Sequence, residues 1–91
     1  MKIGKVIGTA VATRKEESLM GCKLMVTQPL SMEYKAIGEP IIAVDTVGAG
    51  IGEIIIYTNG TASRNAANKK HSSIDAAIVG IVDNIDIVKD K

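Results

Sequence analysis

The 91-residue chain contains no Trp and no Phe, and Tyr34 and Tyr57 are its only aromatic residues. That scarcity argues against a surface that binds nucleic acid or sugars by ring stacking, because single-stranded grooves rely on aromatic platforms. Charge of one sign is missing too. Eleven basic residues face ten acidic ones for a net charge of +1, without the basic face that a phosphate backbone requires. The tightest basic cluster, Lys69-Lys70-His71, reads as a solvated loop. One imidazole, His71, and one thiol, Cys22, cannot supply the four ligands of a closed zinc site. His71 lies in a polar segment without an orienting partner, so an exposed loop histidine is expected rather than a base. Cys22 is expected to act as a small apolar residue, buried or half-buried. A single cysteine forms no internal disulfide and fits a reducing cytosol. No apolar run is long enough to cross a bilayer, and Met1-Lys2-Ile3-Gly4-Lys5 has no signal-peptide core.

What is abundant is aliphatic and β-branched. Fourteen Ile and eight Val dominate a hydrophobic fraction of 46%. A chain this small encloses little core, so such content favours self-association over a lone barrel. Strands are expected over Lys2–Arg14, Lys23–Leu30, Pro40–Val47, Glu53–Thr58 and Ala76–Val82, with Asp83-Asn84 turning the chain into Ile85–Val88. Lys15-Glu16-Glu17-Ser18 reads as a polar turn. Ser31–Glu39 reads as a loop whose Met32, Tyr34 and Ile37 fold back over a core edge. After the Asn59-Gly60 turn, Thr61 can cap a short helix over Ala62–Asn68. The expected fold is all-β with one short helix: a single domain over 1–91, forming a small OB-like barrel of about five mostly antiparallel strands.

The densest signal is Gly48-Ala49-Gly50-Ile51-Gly52. As a motif it invites a dinucleotide-binding reading, but a phosphate cradle needs a helix N-terminus behind it. Here Glu53-Ile54-Ile55-Ile56-Tyr57-Thr58 follows, a β-branched run, so the glycines join strand to strand and allow close backbone approach. Asp45, Glu53, Asp75 and Asp83 fall at strand ends and lack the apolar pocket walls that would tune a carboxylate pair. Arg64 is one of two guanidinium groups. It reads either as a surface salt bridge or as a clamp on the glycine loop or a neighbouring subunit, and it is expected to pair with Glu53 or Asp45 and brace the loop from behind. No nucleophile–base pair, metal cluster or cofactor motif emerges, and no enzymatic activity is inferred.

Several segments then share one pattern. They are Gly4-Lys5-Val6-Ile7-Gly8, Leu19-Met20-Gly21-Cys22-Lys23-Leu24-Met25-Val26-Thr27-Gln28-Pro29, Ala43 through Glu53, Gly60-Thr61-Ala62-Ser63-Arg64, and Asp75 through Asp83. Together they resemble the EutN/CcmL family of bacterial microcompartment shell vertex proteins, over nearly the whole chain. Ala62-Ser63 stands where that family more often has Ser-Ala, and Ser73-Ile74 replaces a frequent proline-valine. The resemblance implies an OB-like barrel assembled as a cyclic homo-pentamer. Such a ring closes the corners of polyhedral shells, carboxysomes or metabolosomes such as those of ethanolamine utilization, in the cytoplasm. Hexameric shell proteins would be its partners, with no nucleic acid, membrane or cofactor. Gly48, Ala49, Gly50 and Ile51, with Gly52 completing the loop, would line a narrow axial opening, and Glu53 would lie close behind. Gly50 is expected at positive φ, where a β-branched residue is poorly tolerated. The competing reading is an OB-fold module that binds nucleic acid or oligosaccharide.

Overall fold

The computed structural model describes residues 1–69 and 74–88. Its strands are β1 (Lys2–Ala10), β2 (Leu24–Leu30), β3 (Ile41–Asp45), β4 (Ile54–Asn59) and β5 (Ala76–Ile81). One helix, α1 (Gly60–Ala66), joins β4 to β5, and a single 3-10 turn occupies Glu17–Leu19. The strands close in the order β1-β2-β3-β5-β4. Closure leaves no long free sheet edge, which suits a small chain rich in β-branched residues. All neighbours run antiparallel except β3 and β5, whose parallel ladder holds two residue pairs, Val44–Ala77 and Asp45–Ile78.

Alternation explains the core. Val6, Met25, Ala43, Ile55, Tyr57 and Ile78 point inward from the five strands and pack together, with Ala76 beside them. Each fully buried aliphatic side chain contributes about 1.5–3 kcal/mol relative to an exposed one. A bulge between Val6 and Gly8 shifts the β1–β2 register and bends β1 at the point where the barrel turns. Gly4 lies where three strands meet closely. A Cβ there would fall 2.8 Å from Thr27 Cγ2 and 3.0 Å from the Gln28 carbonyl oxygen.

The strands lie where the sequence places them, with shifted ends. β1 stops at Ala10 rather than Arg14 because its ladder with β2 ends at the Ala10–Leu24 pair, and Val11 is left 92% exposed. The helix begins at Gly60, two residues before the expected start, and Thr61 does not cap it. Asn59 occupies the cap position, and the Gly60 N–H donates to the Asp75 carbonyl (3.0 Å). Met32, Tyr34 and Ile37 do not fold over the core; each is about half exposed. A tight turn anchored on Ser31 directs them outward: the Tyr34 N–H donates to the Ser31 carbonyl (2.9 Å), and Tyr34 has φ 64°. Ile85–Val88 forms no sixth strand. Of the basic cluster expected as a solvated loop, Lys70 and His71 lie outside the described residues.

Candidate functional site: the glycine loop between β3 and β4

All five strands present their β3-end side to one mouth of the barrel. There β3 ends, β4 begins and β5 leaves, while α1 sits at the opposite mouth. The loop from Thr46 to Glu53 crosses that first mouth. It is strand-to-strand, as its sequence implies, and no helix N-terminus lies behind it.

Two carboxylates shape it. Asp45 Oδ1 accepts the N–H groups of Val47 (3.0 Å) and Gly48 (3.1 Å), a short-range Asx arrangement that turns the chain away from β3. Its side chain is only 2% exposed, and Lys23 Nζ approaches Oδ2 at 3.9 Å. On the return, Glu53 Oε1 accepts the Gly50 N–H, and the Glu53 N–H donates to the Gly50 carbonyl (3.2 Å). The end of the loop is then stitched to β1: the Gly52 N–H donates to the Val6 carbonyl (2.7 Å), and the Val6 N–H to Glu53 (3.0 Å). The start is tied to β5, where the Thr46 hydroxyl donates to the Ile78 carbonyl (2.7 Å).

The glycines have separate reasons. Gly48 (φ 80°) and Gly52 (φ 91°) occupy the left-handed region, which a side chain resists. Gly50 does not, contrary to expectation. Its constraint is space, because a Cβ would lie 3.2 Å from Glu53 Oε1. Ala49 also departs from the expectation of lining an opening. Its methyl is fully buried in the barrel core, and its carbonyl accepts from Lys23 Nζ (3.4 Å). The glycine stretch therefore presents Gly48, Gly50, Ile51 and Gly52 at the surface, with Ile51 67% exposed.

Arg64 does not brace this loop within the protomer. Its guanidinium donates from Nη1 to the Ile74 carbonyl (3.1 Å) and from Nη2 to the Thr61 hydroxyl (3.1 Å), fixing α1 to the entry of β5. The physical reason is position: α1 lies at one mouth of the barrel, Asp45 and Glu53 at the other, and both acids already serve main-chain amides. Ser63 was not recognised in the sequence. It is fully buried, its hydroxyl donating to the Gly60 carbonyl, and a polar residue amid alanines was its only signal.

Nothing in the geometry suggests chemistry. Among the described residues no group of three or more His, Cys, Asp or Glu is placed to hold a metal. Burial raises the Tyr57 phenol above its ordinary value of 10.0. With Tyr57 in the core, Tyr34 is the sole exposed aromatic, and a stacking platform cannot be built from it. Cys22 is half-buried. No helix among the described residues is long and apolar enough to cross a membrane.

The fold is a small closed aliphatic barrel with a carboxylate-tied glycine loop at one mouth and a short helix at the other. Residues 1–83 match the family model described as ethanolamine utilisation protein EutN/carboxysome. The chain belongs to the EutN/CcmL family. It is 51% identical over 88 residues to the bacterial microcompartment shell vertex protein GrpN of Rhodospirillum rubrum, covering 97% of this chain and 99% of that one. It is 40% identical to the carboxysome shell vertex protein CcmL of Thermosynechococcus vestitus, over 93% of this chain and 86% of that one. The solved structure described as GrpN pentameric microcompartment shell protein superposes with a TM-score of 0.87 at 50% identity, over 97% and 100% of the two chains. CcmL of Gloeobacter violaceus superposes at 0.89 with 33% identity, over 96% and 90%.

Proposed function

We propose that this chain is a structural shell protein, assembling as a homo-pentamer that closes the five-fold corners of a bacterial microcompartment in the cytoplasm. The observation that carries the reading is the near-complete coverage, at 51% identity, of a vertex protein whose solved structure is described as pentameric. The protomer supports it physically. Ile7, Ile42, Val47, Ile51 and Ile81 remain between 38% and 67% exposed, an amount of branched aliphatic surface suited to burial between copies. A sheet of six-fold tiles cannot close, and a head-to-tail interface whose rotation closes after five copies supplies the missing curvature. Hexameric shell proteins are the corresponding partners, and the role is not enzymatic.

Gly48, Gly50, Ile51 and Gly52 face the five-fold axis in this reading. An opening there would be framed by main-chain groups and five Ile51 side chains, so width rather than a charged ring would govern passage. Native mass spectrometry tests the assembly. A species of five 9.6 kDa chains is expected, and a monomer at micromolar concentration would refute it. Co-expression with hexameric shell proteins should yield closed polyhedral shells by electron microscopy, and open or tubular sheets when this chain is omitted.

A further inference from the structure

The end of the chain carries a feature that the barrel does not use. The Val82 N–H still donates to the Ile54 carbonyl (2.8 Å), but from Asp83 to Val88 no main-chain hydrogen bond is made among the described residues. This arm departs from the mouth that holds the glycine loop. In an extended segment successive side chains alternate, which puts Ile85 and Ile87 on one side and Asn84 and Asp86 on the other. The second side is internally joined, Asn84 Nδ2 donating to Asp86 Oδ1 (3.0 Å). On the first, Ile85 is only partly covered within the protomer, and Ile87 remains 55% exposed.

A matching acceptor lies on the barrel flank. Leu19, Leu24, Ile42, Val44 and Ile74 border a hollow of about 220 Å³, with Asp75 its one charged lining residue. It opens where the β3–β5 ladder is short: from Ile41 to Ala43, β3 is paired only to β2. Ile42 stays 50% exposed there, on the stretch of β3 that has no second partner strand. The arm and the hollow are two different apolar surfaces of one chain, the arrangement a head-to-tail ring needs. Six extended residues reach about 20 Å. The two shorter dimensions of the protomer are 23 and 22 Å, so the arm is long enough to lie across a neighbouring barrel.

We propose that the arm of each subunit lies across this hollow on the next subunit, with Ile85 and Ile87 seated against Leu24 and Ile42 and Asp86 facing solvent. The inference rests on the ring reading above and assigns the ring a specific clasp.

Disulfide trapping tests it, because a bridge forms only where Cα atoms come within about 4.4–6.8 Å. In a Cys22→Ser background, Ile42→Cys is combined with Ile85→Cys in one variant and with Ile87→Cys in another. After mild oxidation of the assembled protein, denaturing gels should show covalent ladders of up to five chains from at least one variant. A second measurement uses Ile85→Asp with Ile87→Asp. The concentration at which the ring dissociates should rise at least tenfold while the far-ultraviolet circular dichroism stays that of the parent. A five-chain native mass with neither ladder nor weakened ring overturns the clasp and leaves the ring standing. A bridge closed within single chains would show the arm covering its own barrel and also overturn it. A monomeric parent would overturn ring and clasp together.

Discussion

Replacing Asp45 by alanine removes the acceptor that turns the chain out of β3. The carboxylate holds two N–H groups, of Val47 and Gly48, at 3.0 and 3.1 Å while being 2% exposed itself. A hydrogen bond to a charged partner is worth roughly 1.5–3 kcal/mol. Val47 and Gly48 are exposed residues, so water can reach the released amides and the lower end applies, giving about 3 kcal/mol for the pair. The Lys23 ammonium adds below about 1 kcal/mol, because it is 57% exposed and 3.9 Å away. In a domain of this size 1 kcal/mol moves Tm by about 4–8 °C, so Asp45→Ala should melt about 12–24 °C below the parent. Asp45→Asn keeps the Oδ1 acceptor without its charge and should lose about half as much. Differential scanning calorimetry at one fixed protein concentration is the assay, since assembly ties Tm to concentration. Asp45→Ala melting with the parent would refute the turn-holding role. Asp45→Asn as damaging as alanine would shift the explanation from the N–H acceptor to the charge.

Gly50→Ala places a Cβ 3.2 Å from Glu53 Oε1 and should destabilise by about 1–2 kcal/mol, with Gly50→Val worse; equal Tm values for parent and both variants would disprove the crowding. Gly48→Ala meets nothing within 4 Å, so its cost should be only the left-handed backbone penalty of about 1–2 kcal/mol by denaturant titration. Arg64→Ala should lower stability by about 1 kcal/mol, through loosened attachment of α1 to β5, without changing protection of the glycine-loop amides in hydrogen exchange. Loss of protection at Gly50 in that variant would revive the bracing role. The Tyr57 phenol ionises more readily once unfolded, so its contribution is intact below pH 10 and lost as pH rises above that value. Tyr57→Phe should therefore lose stability less steeply above pH 10 in urea midpoints, and parallel slopes would refute this.

The strands were legible because β-branched runs and glycine breaks mark them locally; their ends were not, because a strand extends only as far as its partner does. Ala10 closes β1 because Leu24 is its last partner, a fact about β2 rather than about residues 11–14. The glycine loop was readable as a strand connection from the run behind it. The orientation of Ala49 was not, since one residue in an irregular loop carries no periodicity. Pairing Arg64 with Glu53 or Asp45 followed from opposite charge alone. Charge attracts through space, and chain position does not reveal that α1 and the loop occupy opposite mouths. The acids instead took the nearest donors, main-chain amides two or three residues away.

The two-pair parallel seam between β3 and β5 also bears on how the molecule is made. β5 completes the barrel on both sides, joining β3 and β4. While the chain emerges from the ribosome, β1 to β4 can pair as a four-stranded sheet in the order β4-β1-β2-β3, but β3 and β4 each expose a bare edge until residues 76–81 arrive. An open β edge is a template for pairing with another chain. The nascent protein thus passes through a stage at which mispairing with a second nascent copy competes with closure. With only two pairs, the seam does little to fix the register of the last strand, which the five-pair ladder with β4 sets instead.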